Sequence, residues 1–198
     1  MTAKRQARRI AAPLFEFDKR TRKALLPYRD EPAAKALSWV SQAGDQLQLR
    51  LLAGGVLLLG LARRDPRTVR AALRMALAHE AATLGKTWLK DRVIRRRPRS
   101  AAGSSTRPRK GHDTSKEESS FPSGHAGGAV AVAGGFSGEF PAHAGRAHAA
   151  AAIVSLARLP RNAHYPTDVA AGAVLGAASA ALVNVLWAVA RKALGGRR

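Results

Sequence analysis

The reading of this chain turns on residues 158–190, RLPRNAHYPTDVAAGAVLGAASAALVNVLWAVA. The stretch opens with Arg158, His164 and Asp168 around two prolines, then runs without charge from Val169 to Ala190. An uncharged helix of that length can cross a bilayer. Pro166 suits its first helical position, which puts Asp168 in the first turn, within reach of His164. Such a carboxylate fixes the tautomer of a nucleophilic imidazole. The plainer reading, that Asp168 only complements the helix dipole, stays open at this point.

Two upstream stretches supply matching chemistry. Lys90 and Arg97 are seven apart, so on a continuing helix they share a face, and Pro98 marks where that helix stops. Both can donate to a phosphate, Arg97 as a bidentate fork. Pro122-Ser123-Gly124-His125 precedes an apolar helix, with Ser123 as N-cap. The free N–H groups at Ser123 and Gly124 would bind an anion, and His125 would face it from the first turn. Taken singly, these stretches also fit a solvated basic helix end and an ordinary capped helix. Taken together they supply what phosphoryl transfer asks of a protein: charge against the phosphate oxygens, a nucleophile and an acid for the leaving group.

Composition bounds the rest. The 198 residues carry 34 Lys and Arg against 13 Asp and Glu, a net charge of +21, which calls for an anionic partner. Cysteine is absent, which excludes thiol catalysis and cysteine-ligated metals. The histidines at 79, 112, 143 and 148 have no ligand-like spacing, so no metal or other cofactor is expected. The basic clusters bracket apolar segments, as in membrane proteins. No interleaved aromatics suggest a single-strand nucleic-acid binder, and no cleavable signal peptide suggests soluble export.

The expected architecture is all-α, a membrane-embedded bundle of about six helices with its site at the membrane–water interface. Residues 1–32 read as a basic interfacial segment broken by Pro13, Pro27 and Pro32, with a basic tail an equal alternative for 1–12. Residues 33–191 read as the six-helix domain, with helices near 33–43, 47–62, 67–90, 124–138, 145–159 and 166–190. Within it 99–121 form a long mobile loop, and 192–198 form a basic tail. Leu73, Leu77, Leu84 and Trp88 form a stripe at helical spacing, and His79 with Glu80 reads as a satisfied polar pair. Mean hydropathy is low for a multi-span chain, −0.18. The membrane reading therefore leans on close-approach glycines: Gly127-Gly128, Gly134-Gly135 and Gly172-x3-Gly176.

The three motifs resemble the signatures of the type 2 phosphatidic acid phosphatase superfamily: Lys-x6-Arg-Pro, Pro-Ser-Gly-His and Ser-Arg-x5-His-x3-Asp. One position departs, Ala157 standing where that family has serine. The resemblance implies a metal-independent hydrolase of a lipid phosphate or diphosphate. His164 would be the nucleophile forming a phosphohistidine, His125 the acid and then base, and Asp168 the orienter. Lys90, Arg97, Arg158 and the N–H groups of Ser123 and Gly124 would hold phosphate. It further implies a phosphorylated lipid substrate among membrane lipids, no nucleic-acid partner, and an integral place in a bacterial-type cytoplasmic (inner) membrane. Six crossings would put the motifs outside; five would put them on the cytoplasmic face. The competing readings are a basic membrane-peripheral anion-binding protein without catalysis and, further off, a vanadate-dependent haloperoxidase relative.

Overall fold

A computed structural model describes residues 3–101, 107–113 and 115–195 of the chain. It is built from seven α-helices: α1 (Ala3–Leu25), α2 (Pro32–Gln42), α3 (Gln46–Ala62), α4 (Pro66–Lys90), α5 (Gly124–Ser137), α6 (Ala144–Leu156) and α7 (Pro166–Gly195). The expected six-helix bundle is α2–α7, with α1 added in front. Helix α1 runs through Pro13 without a break and covers the described part of 1–12, whereas Pro27 falls in a separate helical turn at Leu26–Tyr28 and Pro32 opens α2, as the proline reading expects. At the other end α7 continues to Gly195 and absorbs the first residues of the expected basic tail; residues 196–198 lie outside the described chain.

Local chemistry sets the boundaries. Asp65 caps α4, accepting from the Arg67 N–H at 2.9 Å and from the Thr68 hydroxyl at 2.5 Å, with Pro66 at the first helical position. Helix α4 stops at Lys90, not at Pro98. Val93–Ile94 (β1) instead pairs antiparallel with Arg109–Lys110 (β2), and residues 95–97 run alongside 117–120. The β-branched Val93–Ile94 pair favours extended chain over helix, and the extended path satisfies the backbone through Glu117, Glu118 and Arg95. Much of the expected mobile loop is thus paired chain, although 102–106 and 114 lie outside the described residues.

The interior is made of small side chains. Ala71, Ala72, Ala78 and Ala82 of α4, Ala126, Ala131 and Ala133 of α5, and Ala180 of α7 are buried. The large ones point out: Leu73, Leu77, Leu84 and Trp88 are exposed, so the α4 stripe is an outer face and not the core side. Leu51 and Leu58 on α3 and Val185 and Val189 on α7 extend the same outer surface. Small inside and large outside is the packing expected where the surrounding solvent is lipid. By length and composition Pro166–Leu194 is apolar enough to cross a membrane, and α2 with α3 passes the test as one pair bent by 48°.

His79 is buried at 2% exposure, and neither ring nitrogen has a hydrogen-bond partner among the described residues. Glu80 is instead taken by Arg50 at 2.7 and 2.9 Å, so the expected His79–Glu80 pair is replaced by an outer ion pair. The bidentate fork of Arg50 outcompetes an imidazole 4.0 Å away.

Helix α5 is central and packs most extensively on α7 and α4. A Cβ at Gly135 would lie 2.7 Å from the Arg74 carbonyl oxygen, and one at Gly176 would run into the Gly127 carbonyl. Gly54, by contrast, faces open space. Gly176→Ala is expected to lower the thermal midpoint in detergent, by the equivalent of about 1–3 kcal/mol for an overpacked contact. Gly54→Ala is expected to leave it unchanged or raise it, by up to about 1 kcal/mol from helix propensity. Equal effects of the two would contradict the backbone contact.

Candidate active site

All three motif segments come from one end of the bundle. The α2–α3 break, the C-terminal end of α4, the start of α5 and the α6–α7 connection enclose a cavity of about 430 Å³. Lys90, Arg97, Arg158, Gly124, His125 and His164 line it, joined by Lys86, Lys116 and Asp45. Lys90 and Arg97 do converge, but not through a shared helix face. The extended 93–97 segment carries Arg97 back to the cavity, where both residues donate to one connecting strand. Lys90 Nζ reaches the Ser119 carbonyl at 2.7 Å and Arg97 Nε the Lys116 carbonyl at 2.6 Å. Arg158 donates to the Ser41 hydroxyl of α2 at 3.0 Å. Ala157, which lacks the family hydroxyl, is buried beside it.

Ser123 caps α5, its hydroxyl accepting from the Ala126 N–H at 3.5 Å. Its own N–H donates to the Asp168 carbonyl at 3.0 Å. That donor is therefore committed to the fold, which corrects the expectation that it faces an anion. Gly124, as the first helical residue, sits where an N–H has no intrahelical partner, and it lines the cavity.

His164 is buried at 4% exposure. Its Nδ1 lies 2.8 Å from the Ser120 carbonyl, which can only accept, so Nδ1 carries the proton and Nε2 keeps its lone pair. Asp168 Oδ2 is 3.8 Å from Nδ1, beyond a hydrogen bond. The expected direct Asp168–His164 bond is thus relayed through Ser120: the Ser120 hydroxyl donates to Asp168 at 2.5 Å while its carbonyl receives the imidazole. Asp168 Oδ2 also accepts from the Tyr165 N–H at 2.9 Å, the reach-back half of a capping box on α7. Burial pushes the His164 imidazolium down to about 4, against the raising effect of Asp168, so the ring is neutral at pH 7. Burial likewise brings Arg97 down to about 10, still fully charged.

His125 stands across the cavity with Nε2 2.7 Å from Asp45 Oδ1, without the alignment of a hydrogen bond. Sequence reasoning missed Asp45, Ser120, Lys116, Arg95 and Asp18. For Lys86 a signal existed, its place one helical turn before Lys90. Arg95 and Asp18 carried none, since one sits inside a run of arginines and the other inside a basic helix. Arg95 bridges Asp168 Oδ1 and Asp18 Oδ2, each at 2.6 Å, with all three side chains fully buried. Among the described residues no group of three or more His, Cys, Asp or Glu is arranged to hold a metal ion.

A cavity with five cations, one carboxylate and two histidines is built for a phosphate-like anion. Comparison with known proteins agrees. The chain is similar in structure to Aquifex aeolicus LpxE, with TM-score 0.57 and 20% identity over 82% of this chain and 91% of that one. It is equally similar to a transmembrane PAP2-type phosphatidylglycerolphosphate phosphatase from Bacillus subtilis, with TM-score 0.57 and 20% identity over 85% and 83%. A search of curated protein sequences finds no match. The PAP2 superfamily profile matches residues 71–192, a span that holds all three motifs, and the chain belongs to that superfamily of phosphatases.

Proposed function

We propose that this protein hydrolyses a lipid phosphate or diphosphate without a metal, through a phosphohistidine on His164. The observation that carries the reading is the lock of His164 Nδ1 on the Ser120 carbonyl inside a cation-lined cavity, with His125 opposite. Nε2 attacks phosphorus as the bond to the leaving oxygen breaks, and His125 gives that oxygen a proton. His125 then takes a proton from water, whose oxygen attacks phosphorus. The P–N bond breaks and inorganic phosphate departs. Lys90, Arg97, Arg158 and the Gly124 N–H neutralise the equatorial oxygens, which is the larger part of catalysis in phosphoryl transfer. An anion-binding protein without catalysis would need the charge but not the fixed tautomer.

A lipid leaving group is supported by a second cavity. In-line displacement puts the leaving group on the His125 side. There, behind the Ala43–Gly44 turn, an apolar slot of about 360 Å³ opens between α3, α5 and α6, lined by Leu49, Val132, Ala147, Ala151 and Val154. Gly44 stands close to both: a Cβ there would lie 2.6 Å from Val154 of the slot and 3.2 Å from His125 of the cavity. Phosphatidate, phosphatidylglycerophosphate and polyprenyl (di)phosphates are the substrate classes that fit; the two structural neighbours are themselves LpxE and a phosphatidylglycerolphosphate phosphatase.

The same reading places the enzyme in a bacterial-type cytoplasmic membrane with the site on the cytoplasmic face. Helices α2 and α3 turn by only 48° at the site end, so α2 does not run back antiparallel to α3 as a crossing of its own, which favours five crossings over six. Helix α1 also rests on the site end, where Arg22 Nε donates to the Pro98 carbonyl at 2.7 Å. The basic residues of α1 and of 90–110 then share the side that the positive-inside rule assigns to the cytoplasm.

Three measurements test these statements. With EDTA present, His164→Ala is expected to lose at least about a thousandfold in phosphate release, as for other nucleophiles, and to trap no phosphoenzyme; activity above a few per cent overturns the assignment. Ala151→Phe is expected to raise KM for long-chain substrates about tenfold while sparing a short-chain ester, a loss of about 1.4 kcal/mol; equal effects on both would remove the slot from the reading. The native chain has no cysteine, so single reporters are clean. Lys110→Cys should be protected from an impermeant maleimide in intact cells and Ala142→Cys labelled; the reverse pattern overturns the cytoplasmic orientation.

A further inference from the structure

Helix α1 presents Phe15, Asp18 and Arg22 on one face, at helical spacings of three and four. Asp18 is fully buried although most of its helix neighbours are exposed. Its carboxylate makes contacts on two sides. Oδ2 pairs with Arg95 NH2 at 2.6 Å and accepts from the Thr167 hydroxyl at 2.5 Å. Oδ1 accepts from the Thr167 N–H at 3.1 Å. Thr167 is the second residue of α7, so Asp18 caps that helix from a different helix. Arg95 in turn donates to Thr167 Oγ1 at 2.7 Å and to Asp168 Oδ1 at 2.6 Å, and its guanidinium lies 4.2 Å over the Tyr165 ring.

We propose that Asp18 is a positioning residue for the reaction: through Arg95 it fixes Asp168, and through Asp168 and Ser120 it fixes the tautomer and aim of His164. The inference rests on the phosphohistidine reading above. The physical argument is one of accounting for buried charge. Without Asp18 the fully buried guanidinium of Arg95 would lose one of its two carboxylate partners, and the arginine would be drawn toward Asp168. With Asp18 on its other side, the planar fork is held between two carboxylates, and Asp168 keeps Oδ2 for Ser120 and the Tyr165 N–H. Helix α1 is then part of the support of the site, where charge alone would make it a surface anchor.

The test compares Asp18→Asn, Asp18→Glu and Arg22→Ala with wild type on lipid substrate in detergent. Arg22→Ala loosens α1 at Pro98 and leaves the carboxylate network intact. Asp18→Asn is expected to lower kcat about 10- to 100-fold, the scale seen when the support of an active-site group is removed, with KM within about twofold. Asp18→Glu should recover part of the loss, and Arg22→Ala should keep wild-type kcat. If Asp18→Asn does not fold, Arg95→Lys, which keeps the charge but replaces the planar fork by a point charge that does not fix the two carboxylates, is read in its place and should show the same kcat loss. Unchanged kcat in Asp18→Asn, or an equal loss in Arg22→Ala, overturns the proposal. A readout independent of turnover is ¹⁵N NMR of labelled histidine. His164 should be Nδ1-protonated in wild type and a tautomer mixture in Asp18→Asn. An unchanged tautomer overturns the positioning role even where the enzyme is active. A silent wild type with the expected tautomer shift would count against the phosphatase reading while supporting the network.

Discussion

The backbone of α5 touches the backbone of α7, and the site hangs on that contact. Gly127, Gly172 and Gly176 keep side chains out of the closest approach, where the Ser123 N–H reaches the Asp168 carbonyl at 3.0 Å. That single bond ties the start of α5 to the start of α7. It therefore sets the distance between the segment carrying His125 and the segment carrying His164. A methyl group in the seam would separate His125 and His164 as well as two helices. The glycines that weaken each helix by roughly 1 kcal/mol apiece are offset by what their absence of bulk allows.

Much of this was legible beforehand, for identifiable reasons. The six helices α2–α7 could be read because apolar runs ended at strong punctuation: Pro66 after Asp65, Ser123 before Gly124, and Pro166. Lys90, Arg97, Arg158, His125 and His164 could be read as one cluster because motif spacing survives changes in local structure. The path between them could not. Lys90 and Arg97 looked like neighbours on a helix, and they meet instead because β1 and the 117–120 segment pull the chain straight. The α4 stripe had the correct period, but periodicity finds a face and does not say what covers it. Ser120 was beyond reach because its carbonyl does half of its work, and no side-chain pattern encodes a carbonyl. Asp18 and Arg95 pair across 77 residues, and the chain between them holds nothing that points from one to the other.

The arrangement of charge around the cavity follows from what phosphate needs. Cations that face the substrate would lose their pull if carboxylates neutralised them. Here Lys90 and Arg97 are aimed by the carbonyls of Ser119, Lys116 and Ala163, and Arg158 by the Ser41 hydroxyl. These acceptors orient a cation through dipoles and leave its full charge for the ligand. The carboxylates are set one layer back, with Asp168 and Asp18 both on Arg95 and out of line of the cavity. The outward exception is Asp45, nearly half exposed, with Oδ1 2.7 Å from His125 Nε2. The same layering explains how a chain of net charge +21 can bury acids at its active centre. Full burial of Asp168 is tolerable because Arg95 and two further hydrogen-bond donors, the Ser120 hydroxyl and the Tyr165 N–H, surround it, and the strength of that enclosure at low local dielectric keeps the relay to His164 in a single geometry.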